Sequence, residues 1–317
     1  MDGLRYQKGP PTVTIVMYHY VRDVEKTEYP GIHAVSFKRF NDHLALLKKL
    51  GYHFISLDHY YDHISKGVAI PQKSCVLTFD DGIRDHYTHV FPILKKEGIP
   101  GVFYPVTQPL TESIVPIVQK IHFILGKMSA VEFAREVNAF LKHDPSLFHE
   151  YEVHDHFKIN PQKRFDDNLT ANLKHNLARM PLVIKKKIVD SIFHAHFPDE
   201  HAFCDELYMD FEELKEMLEA GMTIGSQTHT HPFLSSLSSD KQEREIIQAT
   251  SLLEKNLGIK IKHFCYPYGG YNKDTIGILR DHGYDTAMTI KLGVNQGPID
   301  PLEIKRINCN DVDQLQE

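Results

Sequence analysis

The sequence predicts an α/β protein: a parallel sheet closed into a (β/α) barrel of about seven strands, with a helical insertion. Three observations predict it. Short apolar runs alternate with segments of helical spacing over residues 12–106 and again from 207 onward. Acidic and histidine-rich clusters fall where those runs end, which is where α/β enzymes place their chemistry. Between residues 107 and 206 the strand signal is lost and only helical spacing remains.

The elements follow in order. Thr12–Met17 reads as a strand, and Ser36 caps a helix from Phe37 whose apolar positions are Phe40, Leu44 and Leu47, with Gly51 at its end. Tyr52–Ser56 reads as strand, Leu57–Lys66 as helix and Cys75–Phe79 as strand, the last after a turn signal at Pro71-Gln72-Lys73. His86–Glu97 is helical and stops at Gly98; Pro100–Val106 is strand. Past the insertion come a capped helix over Asp210–Ala220, a strand over Met222–Ser226, and a long helix over Asp240–Leu257. Ile261–Tyr266 and Tyr284–Thr289 are then strands flanking a helix over Asn272–His282. Within 107–206 helical spacing marks Ile117–Leu125, Ala130–Leu141, Arg164–Ala178 and Leu182–His194. One domain over 1–317 with an inserted helical subdomain over 107–206 is the expected organisation; on a barrel loop such an insertion reads as a cap or a partner surface through which the chain would oligomerise.

Composition narrows the function. The chain has 317 residues, 42% hydrophobic and 25% charged, as in ordinary globular proteins. A net charge of −6 gives nucleic acid no basic footprint. No apolar stretch approaches the length of a membrane span. Val13–Met17 is too short for a secretory signal and runs straight into His19, so the expected location is the cytoplasm. Cys75, Cys204, Cys265 and Cys309 show neither metal-like spacing nor a disulfide framework. His154-x-His156 and His194-x-His196 have no carboxylate or cysteine pattern beside them and are not read as metal sites.

Three clusters carry chemistry. Thr78-Phe79-Asp80-Asp81-Gly82 presents two adjacent carboxylates at the end of a strand, with Gly82 free to turn the chain. Two like charges so close call for a cation or a proton, so one aspartate on a metal and the other free as a base is a natural division; a solvated Asx-turn also fits this segment taken alone. Ser226-Gln227-Thr228-His229-Thr230-His231-Pro232 has two histidines in a small-residue loop, a metal-loop composition that surface loops share in a chain with 21 histidines. Phe264-Cys265-Tyr266-Pro267-Tyr268-Gly269-Gly270 forms a tight loop whose backbone N–H groups can face a ligand.

Taken together and in this order, the clusters resemble those of the polysaccharide deacetylase family, carbohydrate esterase family 4. The Thr-Phe-Asp-Asp-Gly motif is matched in full at 78–82. The Ser-His-Thr-x-x-His-Pro motif is matched at Ser226, Thr228, His231 and Pro232, and the Pro-Tyr-Gly loop at Pro267, Tyr268 and Gly269. The likeness covers roughly 12–106 and 207–308. It implies a distorted (β/α) barrel and metal-assisted removal of an N-acetyl, or other N-acyl, group from an amino sugar or glycan. Asp80 would be the base. One divalent ion, zinc or else cobalt or nickel, would be held by Asp81 and His231. Gln227 stands where the family has its first histidine, so the third ligand is Gln227 or, alternatively, His229. Pro267 and Tyr268 would bind substrate, with the Tyr268 backbone N–H as oxyanion donor.

Cys265 stands where many members have an arginine that orients the catalytic aspartate. A subgroup acting on poly-N-acetylglucosamine has a similar loop without it, and its catalytic histidine is transposed to the N-terminal side. His19, in Met17-Tyr18-His19-Tyr20-Val21, matches that place and becomes the candidate general acid. With a cytoplasmic location, the expected partner is an acetylated amino sugar or a nucleotide-linked or lipid-linked glycan. Two alternatives stand beside this reading: a deformylase or small-amide hydrolase on the same scaffold, and a degenerate, metal-free member acting as a binding protein.

Overall fold

The computed structural model describes residues 9–23, 27–154 and 166–315. They form two compact units, one drawn from Met1–Asp23, Ala34–Ser113 and Cys204–Glu317, the other from Val24–His33 and Ile114–Phe203.

The first unit contains nine strands among the described residues: β1 (Thr12–Tyr18), β2 (His53–Phe54), β3 (Lys73–Asp81), β4 (Gly101–Pro105), β5 (Thr223–Ile224), β6 (His263–Cys265), β7 (Thr286–Leu292), β8 (Asn295–Gln296) and β9 (Ile304–Asn308). Seven of them run side by side in the order β5-β4-β3-β1-β9-β7-β6, and each neighbouring pair is parallel. A parallel bridge between Ser226 and Phe264 joins the two ends of that order: Ser226 N–H donates to the His263 carbonyl at 2.9 Å, and Cys265 N–H to the Ser226 carbonyl at 2.9 Å. The sheet is thereby a nearly closed seven-stranded barrel. Helical crossovers are what parallel neighbours require, and the alternation read from the sequence supplies them.

One strand of the expected seven is replaced. The Tyr52–Ser56 segment gives only the two-residue β2, which pairs with β3 outside the ring order. The seventh place belongs to β9, which the sequence reading left unassigned. Its five residues, Ile304-Lys305-Arg306-Ile307-Asn308, include two cations in succession, so the apolar alternation that marks a strand is weak. The helices lie close to expectation. Ser36 caps Phe37–Lys49 by accepting from Arg39 N–H at 3.2 Å. The expected helix from His86 begins as a π turn over His86–Val90 and continues as α-helix over Phe91–Glu97.

Side chains alternate across the barrel wall with period two. Val16, Tyr18, Leu77, Phe79, Phe103, Ile224 and Phe264 belong to the larger core, which they share with helix residues such as Phe40, Leu44, Leu214, Ile246 and Leu279. Phe79 stacks between Tyr18 and Phe103, ring centroids 5.3 and 4.7 Å away. The opposite set, Val13, Ile15, Val76, Val102, Tyr104, Cys265, Met288 and Ile304, forms the smaller core of the barrel interior. Thr78 and Asp80 lie two and four residues after Val76, and Arg306 two after Ile304, so strand periodicity turns all three inward.

The second unit is helical in its described residues, with helices Ile117–Lys127, Ala130–Leu141, Pro145–Tyr151, Asn168–Arg179 and Leu182–His196. Its buried Lys120 is held by Asp190 at 2.6 Å and Glu200 at 2.9 Å. His194 joins that network through Glu200 at 2.6 Å. His156 and the expected helix start at Arg164 lie outside the described residues. Among the described residues no helix is long and apolar enough to cross a membrane.

Candidate active site

At the carboxyl end of β3 the chain leaves regular strand geometry. Asp81 has φ 77° and Gly82 φ 74°, both left-handed. A Cβ on residue 82 would lie 2.8 Å from Pro105 Cα, so the turn admits only glycine. The turn breaks the in-out alternation, so that Asp81 meets the histidine loop while Asp80 stays in the barrel interior.

Asp80 is gripped by a residue the sequence reading did not single out. Arg306 donates Nη1–H to Asp80 Oδ1 at 2.7 Å and Nη2–H to Oδ2 at 2.8 Å, the two-pronged geometry that fits guanidinium to carboxylate. Its other donors are also used: Nε to the Thr289 carbonyl at 2.9 Å, Nη1 to Thr78 Oγ1 at 3.1 Å and Nη2 to Cys265 Sγ at 3.2 Å. Both ends of the pair are 2% exposed. Burial disfavours the charge on Arg306, but Asp80, Cys265 and Tyr104 together raise the guanidinium pKa above its ordinary value. Cys265 donates its thiol proton to Asp80 Oδ2 at 3.5 Å; burial, opposed by Arg306 and aided by Asp80, pushes its pKa well up, which keeps it a thiol. The arginine that orients Asp80 thus comes from β9 and not from the Cys265 position.

His19 follows β1 and brings Nε2 to 3.9 Å from Asp80 Oδ2, with its side chain 39% exposed. Its carbonyl accepts from the buried His86 Nε2–H at 2.6 Å, which fixes the backbone that presents it.

The second carboxylate meets the histidine loop. Asp81 Oδ1 lies 3.4 Å from His231 Nε2, and Gln227 sits between them. Its amide nitrogen is 3.1 Å from Asp81 Oδ1 and 3.1 Å from His231 Nε2, while its Oε1 accepts from Asp81 N–H at 2.8 Å. Thr228 and His231 both have positive φ, and the loop is held by Glu245, which accepts from His229 N–H, Thr230 N–H and Thr230 Oγ1–H. His229 is turned elsewhere: Nδ1 pairs with Thr107 Oγ1 at 2.9 Å and Nε2 with Glu112 Oε1 at 3.1 Å. Tyr268, 42% exposed with φ 55°, lies over His231 with ring centroids 4.8 Å apart, beside the buried Pro267.

The donor set fits a divalent ion in part. Two ligands about 2.1 Å from a tetrahedral ion stand about 3.4 Å apart, and Asp81 Oδ1 and His231 Nε2 have that spacing. The third position does not fit, because Gln227 offers it N–H groups rather than a lone pair. Among the described residues no group of three His, Cys, Asp or Glu side chains converges to hold a metal.

The barrel and the paired carboxylates at the end of β3 accompany a match of the sequence to a known family. The model of the family described as polysaccharide deacetylase matches residues 67–130 and 165–287, and the chain belongs to that family. YxkH of Bacillus subtilis (strain 168) is 20% identical over 284 residues, covering 90% of this chain and 66% of that protein. The poly-beta-1,6-N-acetyl-D-glucosamine N-deacetylase of Escherichia coli (strain K12) is 37% identical over 73 residues, 23% of this chain and 11% of that enzyme. The chain therefore spans just under two thirds of the first relative and about a tenth of the second. Among solved structures, the Streptococcus pyogenes deacetylase PplD in complex with acetate shares the fold at a TM-score of 0.61 and 19% identity, over 97% of this chain and 99% of that one.

Proposed function

We propose that this protein hydrolyses the N-acetyl group of an acetylated amino sugar in a glycan. The supporting observation is the Asp80 carboxylate, buried and aligned by Arg306 within 3.9 Å of a half-exposed histidine. The E. coli relative named for N-deacetylation of poly-N-acetylglucosamine points to the same substrate class.

In this reading Asp80 takes a proton from water as its oxygen bonds to the acyl carbon. The Tyr268 backbone N–H stabilises the charge that develops on the acyl oxygen, and Pro267 sets that loop. His19, in its protonated form, gives its proton to the amide nitrogen as the C–N bond breaks. Acetic acid and a free amine leave; the acid loses the second water proton to solvent as acetate, and the proton that Asp80 took restores His19 to its protonated form. Arg306 and Cys265 keep both Asp80 oxygens in register throughout. Asp81 and His231 are the residues that would hold a divalent ion, zinc before cobalt or nickel, and the chemistry it would supply is Lewis-acid polarisation.

The test is product identity. The purified chain, given N-acetylglucosamine oligomers and their N-formyl counterparts, should release acetate and leave a primary amine on the sugar. Preferential release of formate, or turnover only of small non-sugar amides, would replace this reading with the deformylase or small-amide one.

A further inference from the structure

The Gln227 amide is a fully used hydrogen-bonding group. Its oxygen is committed to the Asp81 backbone N–H at 2.8 Å. That backbone donor cannot accept, so it fixes which end of the amide is oxygen. The nitrogen then faces Asp81 Oδ1 and His231 Nε2, at 3.1 Å each, and its two hydrogens serve one apiece. With the ring proton on Nδ1, His231 Nε2 accepts the second of these hydrogens. All three residues are at most 7% exposed, so water does not compete freely for these bonds.

The two atoms spaced for an ion are thus the two atoms the amide nitrogen already bridges. Turning the amide to present its oxygen would set –NH2 against the Asp81 N–H, donor against donor, and would break all three bonds. His229 cannot take the place, because both its ring nitrogens are paired away from the loop interior.

We infer that Gln227 is an internal strut which competes with a divalent ion for Asp81 and His231, so that this chain binds such an ion through two protein ligands only, and loosely. The inference rests on the metal reading of that pair and not on deacetylation itself. A catalytic zinc normally has three protein ligands, and an amide that must first be displaced lowers affinity further. The site would then fill only where the ion is plentiful, and would empty on dialysis.

The experiment is Zn²⁺ titration calorimetry on the chelator-treated full chain, with Co²⁺ absorption reporting coordination geometry. Gln227→His adds a third imidazole and should tighten binding at least about 10-fold, the scale on which even outer-shell changes move metal affinity. Gln227→Glu keeps the shape, removes both N–H donors and adds a ligand oxygen; it should tighten binding too, and serves if the histidine variant does not fold. Gln227→Ala should bind as well as wild type or better. Wild-type affinity equal to both tightened variants, or a loss of more than about 10-fold in Gln227→Ala, would make Gln227 a ligand and overturn the inference. Absence of binding in both Gln227→His and Gln227→Glu would show that Asp81 and His231 are not a metal pair. None of these readouts depends on acetate release, so the chemical reading fails or stands separately.

Discussion

Arg306 reaches across the barrel interior from β9 and closes two parallel hydrogen bonds, 2.7 and 2.8 Å, on the carboxylate of Asp80. A buried pair of this kind does not add much net stability, because two desolvated charges offset most of their attraction; breaking it is costly, because one charge is left behind. Its contribution is geometric. Asp80 can no longer rotate, and both its oxygens have fixed directions.

Removing the arginine should therefore injure both folding and activity. Arg306→Ala is expected to cost ~3–5 kcal/mol of stability, the usual consequence of an orphaned buried charge, read from a denaturant titration. Arg306→Lys keeps the charge but loses the two-pronged grip. That variant should stay folded and lose on the order of 10²-fold in kcat, the scale of a misplaced catalytic group. Full activity in a folded Arg306→Lys protein would show that the alignment is dispensable.

How much of this was legible beforehand differs residue by residue. Asp80 and Asp81 were readable because a strand, a glycine and two carboxylates are contiguous. Arg306 was not, because it lies 226 residues along the chain and on a strand whose Lys305-Arg306 pair masks its alternation. The inward position of Arg306 shows only once Ile304 is known to face the barrel interior. A signal did exist: Cys265 left the aspartate without its usual partner, which implied a replacement from elsewhere. The role of Gln227 was half legible. Its place in the motif marked a departure, but which atom it offers depends on the backbone N–H of Asp81, which only the fold supplies. His231 was readable from its place in the motif, whereas His229 stood as an alternative third ligand; its Thr107 and Glu112 partners, which only the fold supplies, turn it elsewhere.

His19 should act on the leaving nitrogen. His19→Ala is expected to lower kcat by ~10²-fold or more, within the range for a general acid, with KM little changed. Its effect should shrink when the substrate is an activated acetyl ester whose leaving group needs no proton. An equal loss on amide and ester would remove His19 from that role and leave it a binding residue.

Stability should fall on mild acidification. Burial lowers the pKa of His86 below its ordinary 6.5, despite the opposing pull of the His19 carbonyl and of Asp85 and Asp81. The unfolded chain then binds a proton that the folded chain refuses. The stabilisation is complete above about pH 6.5 and is lost progressively as pH falls from there toward the depressed folded value. His43, buried and lowered for the same first reason, adds in the same direction. Melting temperature followed from pH 7.5 to pH 5 should decline, and His86→Gln, which keeps a donor for the His19 carbonyl without a titrating ring, should flatten part of that decline. A melting temperature that rises over this range would contradict the burial argument.

The central claim is that Asp80 is the base of an amide hydrolysis on acetylated amino sugars. The most direct measurement is acetate released per protein molecule from an N-acetylglucosamine oligomer by wild type and by Asp80→Asn, with folding checked in parallel. The account predicts repeated turnover by wild type and a fall of ~10²–10⁴-fold in the variant. Equal rates in the two proteins, or a folded wild type that releases no acetate with added Zn²⁺, Co²⁺ or Ni²⁺, would contradict it.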